Sequence, residues 1–137
     1  MAEANDWNGK VIEEFRANHG KVGGPFEGMP LVLLHHRGAK SGTERINPLA
    51  YQDVGGSLAV FASKGGAPTT PDWFYNLVAN PEVTVEVGAT THRVIARVAE
   101  GDERDRIWEA QKAALPQFAE YEKTAGREIP VVVLDPA

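Results

Sequence analysis

The sequence predicts an α+β fold, mainly β, in which short antiparallel strands close into a small barrel. Three observations lead there. Apolar or alternating segments are punctuated by Gly and Pro turn signals. Helical spacing appears only in the first stretch, briefly in the middle, and in one stretch before the last strand. Hairpin-linked strands leave exposed edges, and closing them into a barrel removes those edges. At 137 residues the chain suits one core. No linker is visible, so residues 1–137 are expected to form a single domain with a helical N-terminal segment over 1–30.

The elements follow in order. "NDWNGKVIEEFRANHG" sets Trp7, Val11 and Phe15 four apart with Ile12 beside them, and Gly20 is placed to end the helix. Its polar face mixes Lys10, Glu13, Glu14 and Arg16. A membrane-surface helix usually has a Lys/Arg-rich face, so docking on its own domain is favoured over peripheral membrane contact. "LVLLHH" reads as a strand. "TERINPLAYQDV" and "SLAVFAS" read as a hairpin about the "GG" at 55–56. "WFYNLVANP" makes one or two helical turns stopped by Asn80-Pro81. "EVTVEVGATTHRVIARVAE" is a second hairpin turning at Gly88. "GDERDRIWEAQKAALPQFAEYEKTAG" is helical and divided by Pro116, and "IPVVVLD" is the last strand.

Composition narrows the function. The absence of cysteine removes disulfides, thiolate catalysis and iron–sulfur clusters. It fits a reducing cytoplasm, and neither a signal peptide nor a membrane span is read from the sequence. A net charge of −5 argues against a nucleic-acid surface. The charge is uneven: between His35 and Lys64 four basic residues meet two acidic ones, a local +2 that leaves −7 elsewhere. That segment holds "RGAKSGTERINPL". Gly38 and Gly42 let backbone amides approach an anion, while Lys40, Ser41 and Arg45 can donate to phosphate oxygens. A solvated turn with chance basic residues is the bland alternative. A nucleotide P-loop is excluded, because Ala39 and Leu34 stand where its glycines belong.

Other chemistry is poorly supported. His35 and His36 are adjacent on a strand and should face opposite ways, so they cannot readily share a metal. His19 and His92 have no carboxylate at ligand spacing, and no metal site is expected. No G-x-S-x-G or S-x-x-K arrangement is present. Leu115, Phe118 and Tyr121 form a stripe at spacing three, a pattern more often core than catalytic.

Taken together, "GAKSGTERINPLAY", "FASKGGAPTTPDWFYNL" and "NPEVTVEVG" resemble the deazaflavin-dependent nitroreductase family, whose members use coenzyme F420 (an 8-hydroxy-5-deazaflavin). The likeness is collinear from about residue 31 to 88 and continues more loosely to "REIPVVVLD". It implies a split β-barrel, antiparallel and Greek-key-like. It also implies an F420H2-dependent reductase that passes a hydride to a small electron-poor acceptor: a quinone, an enone or a nitro compound. Two alternatives stand beside it, an FMN-binding split-barrel oxidoreductase and a non-catalytic deazaflavin carrier. A monomer is compatible with the sequence.

Carried over by position, the resemblance gives the phosphate and oligoglutamate tail to Lys40, Arg45 and Lys64, with Ser41 and the glycines lending amides. Many relatives have a further basic residue where this chain has Ala39, and Arg37 is the candidate to compensate. The ring is expected along Asn47, Pro48, Leu49 and Ala50 and along Ala62, Ser63, Lys64 and Gly65, with Trp73 shaping the pocket. Some relatives place tyrosines over the substrate at positions matching Leu115, Phe118 and Tyr121. Here one phenol remains, so Tyr121 or solvent is the expected proton source and Ser63 a hydrogen-bond partner of the acceptor. Weaker turnover of nitroimidazoles than in tyrosine-rich relatives follows as an expectation.

Overall fold

The computed structural model describes residues 2–23, 30–39, 42–63 and 68–137, with side chains from residue 9 onward. Its elements are α1 (Ala2–Ala17), β1 (Leu31–Arg37), β2 (Glu44–Val54), β3 (Ser57–Phe61), α2 (Asp72–Ala79), β4 (Glu82–Val87), β5 (Thr90–Val98), α3 (Gly101–Ala114), α4 (Gln117–Ala125) and β6 (Val131–Pro136). The expected helices and strands are all found. The six strands close into a barrel in the order β1-β2-β3-β6-β5-β4, and every neighbouring pair is antiparallel. Because β4 returns to lie beside β1, the run β4-β1-β2-β3 is a Greek key, as expected.

Two strands are apolar without alternation because both their faces are covered. Val32 and Leu34 of β1 point into the barrel, while Leu31 and Leu33 meet Val11 and Phe15 of α1 on the outside. Val132 and Leu134 of β6 fill the interior, while Val131 and Val133 pack outward with Ile107 and Trp108 of α3 and Phe118 of α4. The first helix therefore docks on its own barrel. Arg16 fastens it further, with its guanidinium 2.6 Å from Glu86 on β4. Gly20 closes the helix through its N–H to the Phe15 carbonyl at 2.8 Å. Its φ is +95°, and a Cβ there would stand 2.9 Å from the Cα of Gly88, so only glycine fits.

The barrel has two unlike ends. At one, β2 turns into β3 through Gly55 and Gly56, both with positive φ as a tight two-residue hairpin demands, and β4 turns into β5 at Gly88 and Ala89. At the other end lie the longer connections and α2, which turns Trp73 and Leu77 into the barrel interior. Pro116 separates α3 from α4 as the sequence predicts. Among the described residues no helix is long and apolar enough to cross a membrane.

Candidate functional site

The α2 end gathers most of the described residues that the sequence singles out. Strand β2 pairs with β1 over Glu44–Ala50 but with β3 only over Tyr51–Val54. A seam therefore opens between the first half of β2 and the segment that follows β3. The Tyr51 N–H donates across to Pro30 at 3.1 Å. By strand alternation the backbone groups of Asn47 and Leu49 also face β1, whereas those of Ile46, Pro48 and Ala50 face the seam. Pro48, which has no N–H, sits where no strand partner requires one. Asn47–Ala50 form one wall of this seam, and Ala62 and Ser63 form the other.

The second wall is held by a residue that sequence reasoning missed. Arg127 donates from one guanidinium nitrogen to the carbonyls of Ala62 at 3.1 Å, Ser63 at 3.4 Å and Thr69 at 2.9 Å. It thus ties the end of β3 to the approach to α2. Ala62 is also fixed by its own N–H, which donates to Pro130 at 3.0 Å. No local signal marks this role of Arg127, because the three carbonyls it gathers lie 58 to 65 positions away.

The remaining expected residues divide. Ser63 is 8% exposed and closes the second wall. Trp73 is buried in the cluster that includes Ala62, so it shapes this end from inside the barrel. Arg45 is exposed on β2, paired in register with His36 of β1. Arg37 opens onto a polar groove across the end of β1, which it lines with His35 and His36, with Glu44 of β2, with Glu82 and Thr84 of β4 and with Arg93 of β5. Lys40, Ser41, Lys64 and Gly65 lie outside the described residues. Of the helical stripe, Phe118 is 4% exposed and packs edge-on against Phe61, with centroids 5.6 Å apart. Tyr121 leans on Phe118 at 5.1 Å in the same outer cluster, which also touches Ala50.

The two adjacent histidines face opposite ways, as strand alternation requires. His35 turns outward, with Nε2 2.6 Å from Glu86. His36 turns into the barrel and is 3% exposed. Its Nε2 lies 2.6 Å from Oδ1 of Asn47, and its Nδ1 lies 3.0 Å from Nδ2 of Asn76 on α2. Burial, with smaller contributions from Arg45 and His35, holds the His36 imidazole below the ordinary histidine range, against the Asn47 hydrogen bond and Asp72.

Comparison with known proteins identifies the family and the fold. The family model described as F420H(2)-dependent quinone reductase matches residues 7–136. The F420H(2)-dependent quinone reductase Rv1261c of Mycobacterium tuberculosis is 36% identical over 124 residues, which is 88% of this chain and 83% of that protein. A solved F420-H2 dependent reductase, FDR-A, superposes with a TM-score of 0.71 at 41% identity, covering 77% of this chain and 94% of that one. A second solved structure, described as a domain-swapped dimer, reaches a TM-score of 0.73 at 36% identity, covering 96% and 99% of the two chains.

Proposed function

Because this chain belongs to the F420H(2)-dependent quinone reductase family, we propose that it holds reduced coenzyme F420 along the seam between β2 and β3 and reduces a quinone or a similar electron-poor acceptor there. The seam is the observation that carries this reading. Backbone groups at 46, 48 and 50 are not used by the β3 ladder, and such groups suit a flat ring edged with carbonyls and an N–H. When bound, the reduced deazaflavin supplies a hydride, with carbon in place of the reactive ring nitrogen of a flavin.

The residues of this chain have the remaining work of binding, orienting and excluding water. The N–H groups of Ile46 and Ala50 would serve as donors to the ring carbonyls and so hold the ring in one orientation, while the negative charge created by hydride transfer would fall on the acceptor. Arg45, with Lys40, Ser41 and Lys64, supplies charge-assisted contacts to phosphate and tail. Arg127 keeps the second wall at a fixed height, so that the ring and acceptor meet it in one orientation. Ser63 offers a hydroxyl to the acceptor, and Tyr121 is the phenol available to deliver a proton in competition with solvent. Leu115 and Phe118 contribute packing.

The test is a fluorescence titration of the purified protein with F420, with FMN in parallel, followed by quinone reduction with F420H2. Saturable F420 binding, little FMN binding and quinone turnover are expected. A preference for FMN would move the protein to an FMN-dependent branch, and binding without turnover of any acceptor would make it a carrier. Lys40→Ala is expected to weaken F420 binding about 10–100-fold, from loss of one charge-assisted contact. Unchanged affinity in a folded variant removes Lys40 from the site.

A further inference from the structure

The His36 contacts have only one consistent direction. Asn76, itself 6% exposed, accepts the backbone N–H of Ala39 at its Oδ1, 2.9 Å away. Its amide nitrogen must then be the atom facing His36 Nδ1. An amide nitrogen only donates, so Nδ1 accepts and the imidazole proton sits on Nε2. From there it donates to Oδ1 of Asn47. The chain of bonds thus runs from the turn after β1, through α2 and the barrel interior, to the first wall of the seam. Ala39 lies within that turn, which is closed by the Gly38 N–H to Thr43 at 2.9 Å and the Gly42 N–H to Gly38 at 2.9 Å.

We propose that His36 is a positioning residue for the cofactor: as the neutral Nε2–H tautomer it fixes the backbone at Ala39, in the turn after β1, relative to Asn47–Ala50, and its protonation releases that hold. The inference rests on the reading above, in which the turn serves the phosphate and the seam serves the ring. A proton on Nδ1 would face the amide protons of Asn76, donor against donor. Asn76 would have to rotate, and its oxygen would leave Ala39. Neighbouring charge bears on the same step from several elements. Arg45 on β2 and His35 on β1 disfavour a cation at His36, while Asp72 on α2 favours it. Arg37, Glu44, Glu82 and Arg93 edge the adjoining groove with signs that balance.

The first measurements need no cofactor. Nitrogen-resolved NMR of the histidine rings should show the Nε2–H tautomer at neutral pH, and exchange of the Ala39 amide should quicken as His36 takes up its proton. F420 affinity should fall about tenfold over the same titration, the size of one buried polar mismatch. Asn76→Asp keeps an oxygen for Ala39 but offers a carboxylate to the imidazole, so both the His36 titration and the pH dependence of binding should move upward together. His36→Gln should abolish that part of the pH dependence, and it carries the test should Asn76→Asp fail to fold. An Nδ1–H tautomer, or a binding profile unchanged in both variants, overturns the proposal. Binding of F420 with no pH dependence also overturns this proposal alone. No F420 binding at any pH overturns the reading of the site itself, and this inference with it.

Discussion

At the waist of the barrel Leu34, Val60, Val85, Val132 and Leu134 meet side by side, none more than 1% exposed. At the α2 end the same interior carries His36, Asn47 and Asn76, joined donor to acceptor. Apolar packing stabilises in proportion to area and has little directional preference, whereas a hydrogen bond fixes an angle as well as a distance. The two regions therefore contribute different things: the waist holds the ring of strands together, and the α2 end sets where the walls of the seam stand.

The comparison breaks if the two contributions cannot be separated. Leu134→Ala should have the largest effect on stability, about 2–5 kcal/mol from lost contacts and the cavity left behind. Urea unfolding would measure it, and the F420 affinity of the folded fraction should be unchanged. Asn76→Ala leaves the Ala39 N–H and His36 Nδ1 without partners and should cost about 1–3 kcal/mol. Unlike Leu134→Ala it should also weaken F420 binding, and a titration showing equal affinity for both variants would merge the two regions into one.

Smaller effects sharpen the contrast through pH. His36 is held below its ordinary value, so the unfolded chain takes up a proton first. Its contribution to stability is therefore complete above about pH 6.5 and is lost as pH falls below that value. The urea midpoint should decline over that range in the native protein and less so in His36→Gln. Glu86 is held below the usual carboxylate range, first by the Arg16 hydrogen bond and then, against its burial, by His35. That contribution is complete above about pH 4.3 and disappears as pH falls through the folded value. Glu86→Gln should cost only about 0.5–1 kcal/mol, since Arg16 is half exposed and the pair is screened by solvent. The difference from the native protein should vanish in acid, and F420 binding should not respond, because Glu86 lies outside the barrel wall.

What was legible in the sequence follows from how local each signal is. The runs "LVLL" and "VVVL" announce strands, and the structure supplies the reason: helices cover their outer faces. Adjacent histidines on a strand must diverge, and they do. The glycine pair at 55–56 specifies its turn without help from distant residues. The site was legible only in part. Asn47–Ala50, Ala62 and Ser63 are brought to one seam, while Arg37 opens onto a groove shared by β1, β2, β4 and β5, a neighbourhood that depends on which strands flank β1 in the closed ring. The bond between His36 and Asn76 spans 40 positions and exists only because the ring closes and α2 caps it. Pro48, expected along the ring by resemblance, also carries a local physical clue. A proline in the middle of a strand says that its nitrogen side faces no partner, and here that side is the seam.

Closure of the strands has one more consequence, for how the chain can change in length. Each strand is gripped on both flanks, so a residue added within β1 would swap the faces of His35 and His36 only if β2 and β4 shifted with it. The two-residue turns at 55–56 and 88–89 have no slack to absorb such a shift. The connections from β3 to α2 and from β5 to β6 are long enough to do so. Insertions and deletions should therefore accumulate at the α2 end. Diversity of acceptor can arise there while the strands that present the seam keep their register.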